Sequence, residues 1–262
     1  MNKEIITSLQ NPLVKTWRML NKSRSARIEH GLFLAEGEHM AQEAIACGFA
    51  NALIVSDKAV AKFSAMLSAA VLPVYVLADH VFLSLCDAKT PQGIIALCGM
   101  KNAVQPASLG PRIVCLNGVQ DPGNVGTILR TMDAAGFTGL LIDDKTADPF
   151  SPKVLRASMG SIFRVPVFKA DSLPAMLDGL RQTDFEILAG DLSGEPYFAP
   201  RSRRENTCII IGNEGAGIAP EVKEKATLRL KIPMVGGAES LNAAVAAAIM
   251  MYDNLRHRLT NQ

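Results

Sequence analysis

No stretch of this 262-residue chain approaches the roughly 18 consecutive apolar residues needed to cross a bilayer. Its opening, MNKEIITSLQNPLVKTW, turns polar too soon for a secretory leader, so the cytoplasm is the expected compartment, with no membrane partner. Cysteine is sparse. Cys47, Cys86, Cys98, Cys115 and Cys208 are odd in number and form no CxxC pair, which argues against a disulfide framework or a cysteine-rich zinc site and predicts reduced, buried thiols. His30, His39, His80 and His257 are too dispersed for a metal cluster or a Cys/His or Ser/His catalytic set, and no metal is expected. A net charge of only +2, with a pI near 8.3, means that contact with nucleic acid would need local clustering of basic residues. Aromatic residues make up 5%, too few to suggest base-stacking platforms. Neither GxGxxG nor GxxxxGK[ST] occurs, which removes the usual support for a nicotinamide cofactor or a nucleoside triphosphate. There is no internal repeat or low-complexity tract.

What is present is a 48% hydrophobic chain, ample for packed cores and long enough for two domains. The first hundred residues open on a basic stretch holding Lys15, Arg18, Lys22, Arg24 and Arg27. They continue as short apolar runs (LFLAEG, ALIVSD, VLPVYVL, GIIALC) between helix-like segments, the pattern of a small α/β unit. The segment KNAVQPASLGPR, residues 101–112, loses periodicity and reads as a linker. It separates residues 1–105 from 106–262. Beyond it the runs RIVCLNGV, GLLID, FRVPVF, FEILAG, TCIIIG and LRLKIP alternate with helical segments, which predicts a parallel sheet with helices on its faces. The last helix is expected to be capped by Ser240. Leu241, Ala244, Val245, Ala248, Ile249, Tyr252 and Leu255 would line one face, as core or as subunit interface.

Three segments break these patterns just after a strand, where open α/β sheets place ligands. In LNGVQDPGNVGTILRTMDAAGF, residues 116–137, Asp121-Pro122-Gly123 makes a turn and Asn124 stands where an N-cap belongs. Val125, Ile128, Leu129 and Met132 form the buried stripe, leaving Arg130 free to reach outward. Alone, this is an ordinary capped helix with a surface arginine. In TCIIIGNEGAGIAPE, residues 207–221, a strand ends in Gly212-Asn213-Glu214-Gly215-Ala216-Gly217, offering bare amides beside a carboxylate. Alone, this is a common strand-to-helix connector. In LKIPMVGGAESLNAAVAAAI, residues 230–249, Ser240 and Asn242 open an alanine-rich helix, and Asn242 lacks an evident structural reason.

Taken together, Asn117…Asp121-Pro122-Gly123-Asn124-Val125-Gly126…Arg130, then Gly212 to Gly217, then Ile232-Pro233-Met234…Gly236…Ser240-Leu241-Asn242 resemble, in order and separation, the three motifs of the SpoU (TrmH-like) family of RNA 2′-O-ribose methyltransferases, in the SPOUT superfamily. Ser151-Pro152-Lys153…Arg156-Ala157-Ser158-Met159-Gly160 resembles the family's segment between the first two motifs. Less specifically, Asn11-Pro12…Lys15, Phe33-Leu34…Glu36-Gly37 and Gln92-Gly93-Ile94 are similar to its small N-terminal RNA-recognition domain. One departure is Ala244, where many members carry serine.

The resemblance implies a C-terminal trefoil-knotted domain, which periodicity could not have indicated. It also implies a homodimer, S-adenosyl-methionine as cofactor, and RNA as substrate, with ribosomal RNA favoured and tRNA the alternative. Its implied cofactor residues are Leu188, Gly190, Ile211, Gly212, Asn213, Gly217, Ile232, Met234 and Leu241, and its implied catalytic set is Arg130, Asn124, Glu214, Ser240 and Asn242. Lys15, Arg18, Arg24, Arg27 and Arg156 are the candidate RNA contacts. Taking the proton off a guanidinium costs on the order of 8 kcal/mol at neutral pH, so an electrostatic role suits Arg130 better than that of general base. Two further readings stay open: a catalytically silent RNA- or ribosome-binding protein of the same fold, marked by damaged motifs, and another α/β enzyme with a nucleotide cofactor, marked by a phosphate loop.

Overall fold

The computed structural model describes residues 4–101, 106–199 and 204–260. Part of the expected linker, residues 102–105, lies outside them, and Pro106–Leu109 form a short 3-10 turn. The chain divides into two compact units, residues 1–101 with 150–163, and residues 102–149 with 164–262.

The first unit holds β1 (Ile5–Ile6), α1 (Pro12–Lys22), α2 (Arg24–His30), β2 (Leu32–Glu36), α3 (Glu38–Ala46), β3 (Ala50–Ser56), α4 (Ser64–Ala69), β4 (Val74–Leu77), α5 (Asp79–Leu83) and β5 (Ile94–Gly99). Its mixed sheet runs β1-β4-β3-β5-β2. Helix α1 begins where Asn11 accepts a hydrogen bond from the Leu13 amide and Pro12 occupies the first helical position, a site that needs no N–H donor. Its buried face, Val14, Trp17 and Leu20, joins Ile54, Leu77, Phe82 and Ile95 in one core. The later segment 150–163 belongs here through its aromatic ends: Phe150 and Phe163 pack on the Phe33 ring, at 5.0 and 6.2 Å between centroids. A single cut near residue 105 does not capture this return of the chain.

The second unit comprises β6 (Arg112–Asn117), α6 (Pro122–Ala135), β7 (Gly139–Ile142), β8 (Val167–Lys169), α8 (Leu173–Gln182), β9 (Glu186–Pro196), β10 (Thr207–Gly212), α9 (Pro220–Lys223), β11 (Leu228–Lys231) and α10 (Ala243–Thr260), while α7 (Pro152–Ser158) lies in the first unit. All its strand pairs are parallel, in the order β11-β9-β10-β6-β7-β8. The expected α/β class with a parallel sheet is therefore what the chain adopts. Val125, Ile128, Leu129 and Met132 are fully buried, each contributing about 1.5–3 kcal/mol relative to exposure. Gly136 ends α6 in the left-handed conformation, φ 70°, which glycine adopts without Cβ strain. No helix among the described residues is long and apolar enough to cross a membrane.

Two expectations about helix starts need correction. The N-cap of α6 is Asp121, whose Oδ1 accepts from the Asn124 amide at 2.8 Å. Asn124 thus sits within the first turn, since proline at the first helical position places the cap one residue earlier. Helix α10 starts at Ala243 and not near Ser240. Asn242 caps it, its Oδ1 accepting from the Ala244 and Val245 amides at 2.9 and 3.2 Å, and this is the structural reason the sequence did not reveal. Of the stripe expected to be core or subunit interface, only Ala244 is buried in the chain's own core. Ala243, Ala244, Ala247, Met250 and Met251 are buried, while Leu241, Val245 and Tyr252 are exposed.

Candidate active site

The C-terminal ends of β10 and β11 with the loops after them, residues 190–192 of β9 and the first turns of α10 surround a cavity of about 350 Å³, within the usual range for a small-ligand site. Two backbone irregularities open it. Strand β11 pairs with β9 up to Arg229 opposite Ala189, then resumes with Leu230 opposite Glu195, so residues 190–194 loop out and carry Gly190, Asp191 and Leu192 to the cavity wall. Gly194 closes this loop against β11: a Cβ there would lie 2.4 Å from the Arg229 carbonyl carbon. The second is the turn after β10. Asn213 and Gly217 exchange backbone hydrogen bonds at 2.9 Å, and the Asn213 Oδ1 accepts from the Gly215 and Ala216 amides at 3.0 and 2.8 Å. A Cβ on Gly212 would lie 2.3 Å from the Gly217 carbonyl carbon, so only glycine permits the approach.

Of the nine residues expected to bind a cofactor, Gly190, Ile211, Gly212, Asn213, Gly217, Ile232, Met234 and Leu241 line this cavity. Leu188 does not; it is fully buried within β9, because the strand reaches the cavity only where it loops out. Asp191, Leu192, Lys231, Glu239, Ala243, Ala246 and Met250 also line it without having been singled out. For the first two, a glycine inside a strand run, Gly190, was the available signal.

Asn124, Glu214 and Asn242 meet. Asn242 donates through Nδ2 to Asn124 Oδ1 at 2.9 Å, and Asn124 donates through Nδ2 to Glu214 Oε1 at 2.9 Å. Glu214 further accepts from the Asp121 and Gln120 amides, each at 3.3 Å. Partial burial pushes the Glu214 carboxyl upward, but these hydrogen bonds outweigh it and hold the group below the usual carboxylate range. Ser240 and Glu214 border the cavity. Arg130 is exposed on α6 and makes no hydrogen bond or ion pair among the described residues.

Asp191 is also ionised more readily than usual. Burial opposes this, and hydrogen bonds from the Ser193 amide and hydroxyl, with Lys223 at 3.0 Å, reverse it.

The basic residues of the first unit divide. Lys15 is exposed and Arg18 and Arg24 are half-buried. Arg156 is exposed and paired with Asp87 at 2.5 Å. Arg27 is only 4% exposed and donates to the Leu20 carbonyl at 2.5 Å. It ties α2 to α1 and has no surface to offer a phosphate, a correction to its place among the RNA contacts. No group of three or more His, Cys, Asp or Glu side chains suited to a metal occurs among the described residues.

The cavity suits an adenosyl sulfonium compound. Ile211, Ile232, Met234, Leu241 and Met250 give apolar walls, and Glu214 and Glu239 add carboxylates to the lining.

Comparison with known proteins points the same way. The model of the SpoU rRNA Methylase family matches residues 111–252, and that of an MRM3-like substrate binding domain matches residues 11–96. The 23S rRNA (guanosine(2553)-2′-O)-methyltransferase RlmP of Bacillus subtilis is 37% identical over 94% of this chain and 97% of its own length. Among solved structures, the AdoMet-bound rRNA methyltransferase of Sinorhizobium meliloti superposes with a TM-score of 0.84 at 32% identity, covering 97% of this chain and 98% of that one. The SpoU methyltransferase AviRb of Streptomyces viridochromogenes, in complex with AdoMet, gives 0.85 at 26% identity, covering 95% and 99%.

Proposed function

The chain belongs to the SpoU rRNA methylase family, and from this membership we propose that it methylates ribosomal RNA. The reaction is S-adenosyl-methionine-dependent methylation of a ribose 2′-hydroxyl in RNA. The observation that carries the reading is the joining of all three motifs, through Asn124, Glu214 and Asn242, beside the cavity. Ribosomal RNA is favoured because the relative that spans nearly the whole chain, including the first unit, is named for 23S rRNA. Residues 1–105, joined by the return of 150–163, would recognise the RNA, and the rest of 106–262 would carry out transfer. The parallel strand order and the close approach of the turn after β10 are compatible with a trefoil knot in the second part.

Gly190, Ile211, Gly212, Asn213, Gly217, Ile232, Met234 and Leu241 would hold the cofactor, which supplies an electrophilic methyl group. The attacking ribose oxygen gains negative charge as its proton leaves. Arg130, exposed and without a partner among the described residues, would orient the ribose-phosphate and stabilise that charge. Asn124, Glu214 and Asn242 would fix the loops that present it, with Ser240 at the cavity edge. Lys15, Arg18, Arg24 and Arg156 would contact phosphate, Arg156 by exchanging Asp87 for RNA. The enzyme would act in the cytoplasm as a homodimer, supported by the exposed apolar stripe on α10.

The test is transfer of labelled methyl from S-adenosyl-methionine to cellular RNA fractionated into ribosomal and transfer species. Label in ribosomal RNA that blocks alkaline hydrolysis at one phosphodiester, and that Asn124→Ala and Arg130→Ala lose, is expected. Label in tRNA would overturn the choice of substrate. No transfer and no cofactor binding would favour a silent RNA-binding protein.

A further inference from the structure

Asp143 lies just beyond β7, is 8% exposed and does not line the cavity, yet it holds the strand end from which the cavity turn is hung. Its Oδ1 accepts from the Gly118 amide at 3.1 Å and the Thr146 amide at 2.9 Å, with the Thr146 hydroxyl at 2.6 Å. Its Oδ2 accepts from Asn117 Nδ2 at 2.9 Å. These two neighbours pass the constraint on. The Asn117 Oδ1 accepts from the Ala219 amide at 2.7 Å, and the Gly118 carbonyl accepts from Asn213 Nδ2 at 2.8 Å. Asn213 and Ala219 bracket the turn whose residues 213–215, 217 and 218 form the cavity wall.

We propose that Asp143 is a positioning residue for cofactor binding, locking both ends of the 213–219 turn through Asn117 and Gly118. The function of the cavity rests on the reading given above; the mechanical role of Asp143 does not.

The direction of the hydrogen bonds makes the role testable. An Asp143 carboxylate accepts on both oxygens, so the Asn117 amide must present Nδ2 to it and Oδ1 to Ala219. In Asp143→Asn, the oxygen is retained best where three donors converge, at Oδ1. The new amide nitrogen then faces Asn117 Nδ2, donor against donor. Asn117 relieves this by turning over, which sets its own nitrogen against the Ala219 N–H. Either arrangement leaves one part-buried donor unpaired. Adding Asn117→Asp restores a complementary chain: an amide at 143 donates to one oxygen at 117, and the other accepts from Ala219.

The experiment compares wild type, Asp143→Asn and the Asp143→Asn/Asn117→Asp double variant by calorimetric titration with S-adenosyl-methionine and, without cofactor, by amide hydrogen exchange. The expected result is about tenfold weaker binding in Asp143→Asn, faster exchange at Ala219, and recovery of both in the double variant. Wild-type affinity and exchange in folded Asp143→Asn would overturn the proposal. So would a double variant no better than the single one, since a merely structural loss would not be repaired by reversing one pair. Failure of wild type to bind S-adenosyl-methionine would overturn the reading of the cavity, while the exchange data would still decide the role of Asp143.

Discussion

Asn242 caps α10 with its side-chain oxygen and, with the nitrogen of the same amide, donates to Asn124 at 2.9 Å. One side chain therefore sets where the last helix begins and couples that start to the first turn of α6. Their separation in sequence is spanned by the packing of α10 on α6.

Loss of either asparagine should be felt at the other. Asn242→Ala removes a cap, costing about 0.5–2 kcal/mol, and leaves the buried Asn124 oxygen unpaired. Asn124→Ala removes the same bond together with that to Glu214. Denaturant unfolding of both single variants and the double variant should show a coupling of about 0.5–3 kcal/mol. Strict additivity would mean that the bond contributes nothing to stability.

Glu214 makes the stability of this region depend on pH. Its folded pKa lies below the ordinary value, so the unfolded chain takes up the proton first as pH falls. The contribution is full above the unfolded pKa and is lost as pH falls through the folded one. Melting curves of wild type and Glu214→Gln should be separated by a constant gap above about pH 5, narrowing below about pH 4. A gap unchanged down to about pH 3 would show that the carboxylate charge is not what the amides of Gln120 and Asp121 hold.

Arg130 is predicted to separate catalysis from stability. Being exposed and without a partner among the described residues, it should be replaceable by alanine within about 0.5 kcal/mol of wild-type stability. It lies outside the cavity lining, so cofactor affinity should also hold. The methyl-transfer rate should fall by roughly a hundredfold or more. Arg130→Lys should not restore it, because an ammonium lacks the planar fork that grips a phosphate. Near-full activity in the lysine variant would remove Arg130 from the proposed mechanism.

The legible part of this molecule was local. Strand ends followed by glycine and amide residues marked the cavity turns at 212–217 and 232–241, and the apolar spacing of α6 marked its buried side. What escaped were partnerships between residues distant in sequence. Asp143 reads as one acid in a loop, and its hold on Asn117 and Gly118 appears only once β6 and β7 are neighbours. Leu188 was named only through the resemblance, and nothing in FEILAG reveals that β9 stays in the core until Gly190. Arg27 looked like part of a basic arm because a guanidinium that satisfies a helix carbonyl has the same one-letter code as one that meets solvent.

Helix α10 shows why periodicity alone left its inner side open, and it supplies the last prediction. Alanine and methionine at 243, 244, 247, 250 and 251 form one apolar stripe, buried within the chain. Val245, Tyr252 and Leu259 form another that is exposed, with Ile249 and Leu255 half-buried beside it. Hydrophobic spacing fits both, and the larger side chains lie on the outer one. Small residues pack inward because the helix approaches α6 and β10 closely, while leucine, valine and tyrosine left in water favour burial against a second copy. If that is their use, light scattering should give twice 28.1 kDa for wild type. Val245→Arg with Tyr252→Arg should give a monomer whose circular dichroism is unchanged, because neither side chain packs in the core of its own chain. A wild-type protein that remains at 28.1 kDa at high concentration would rule the dimer out.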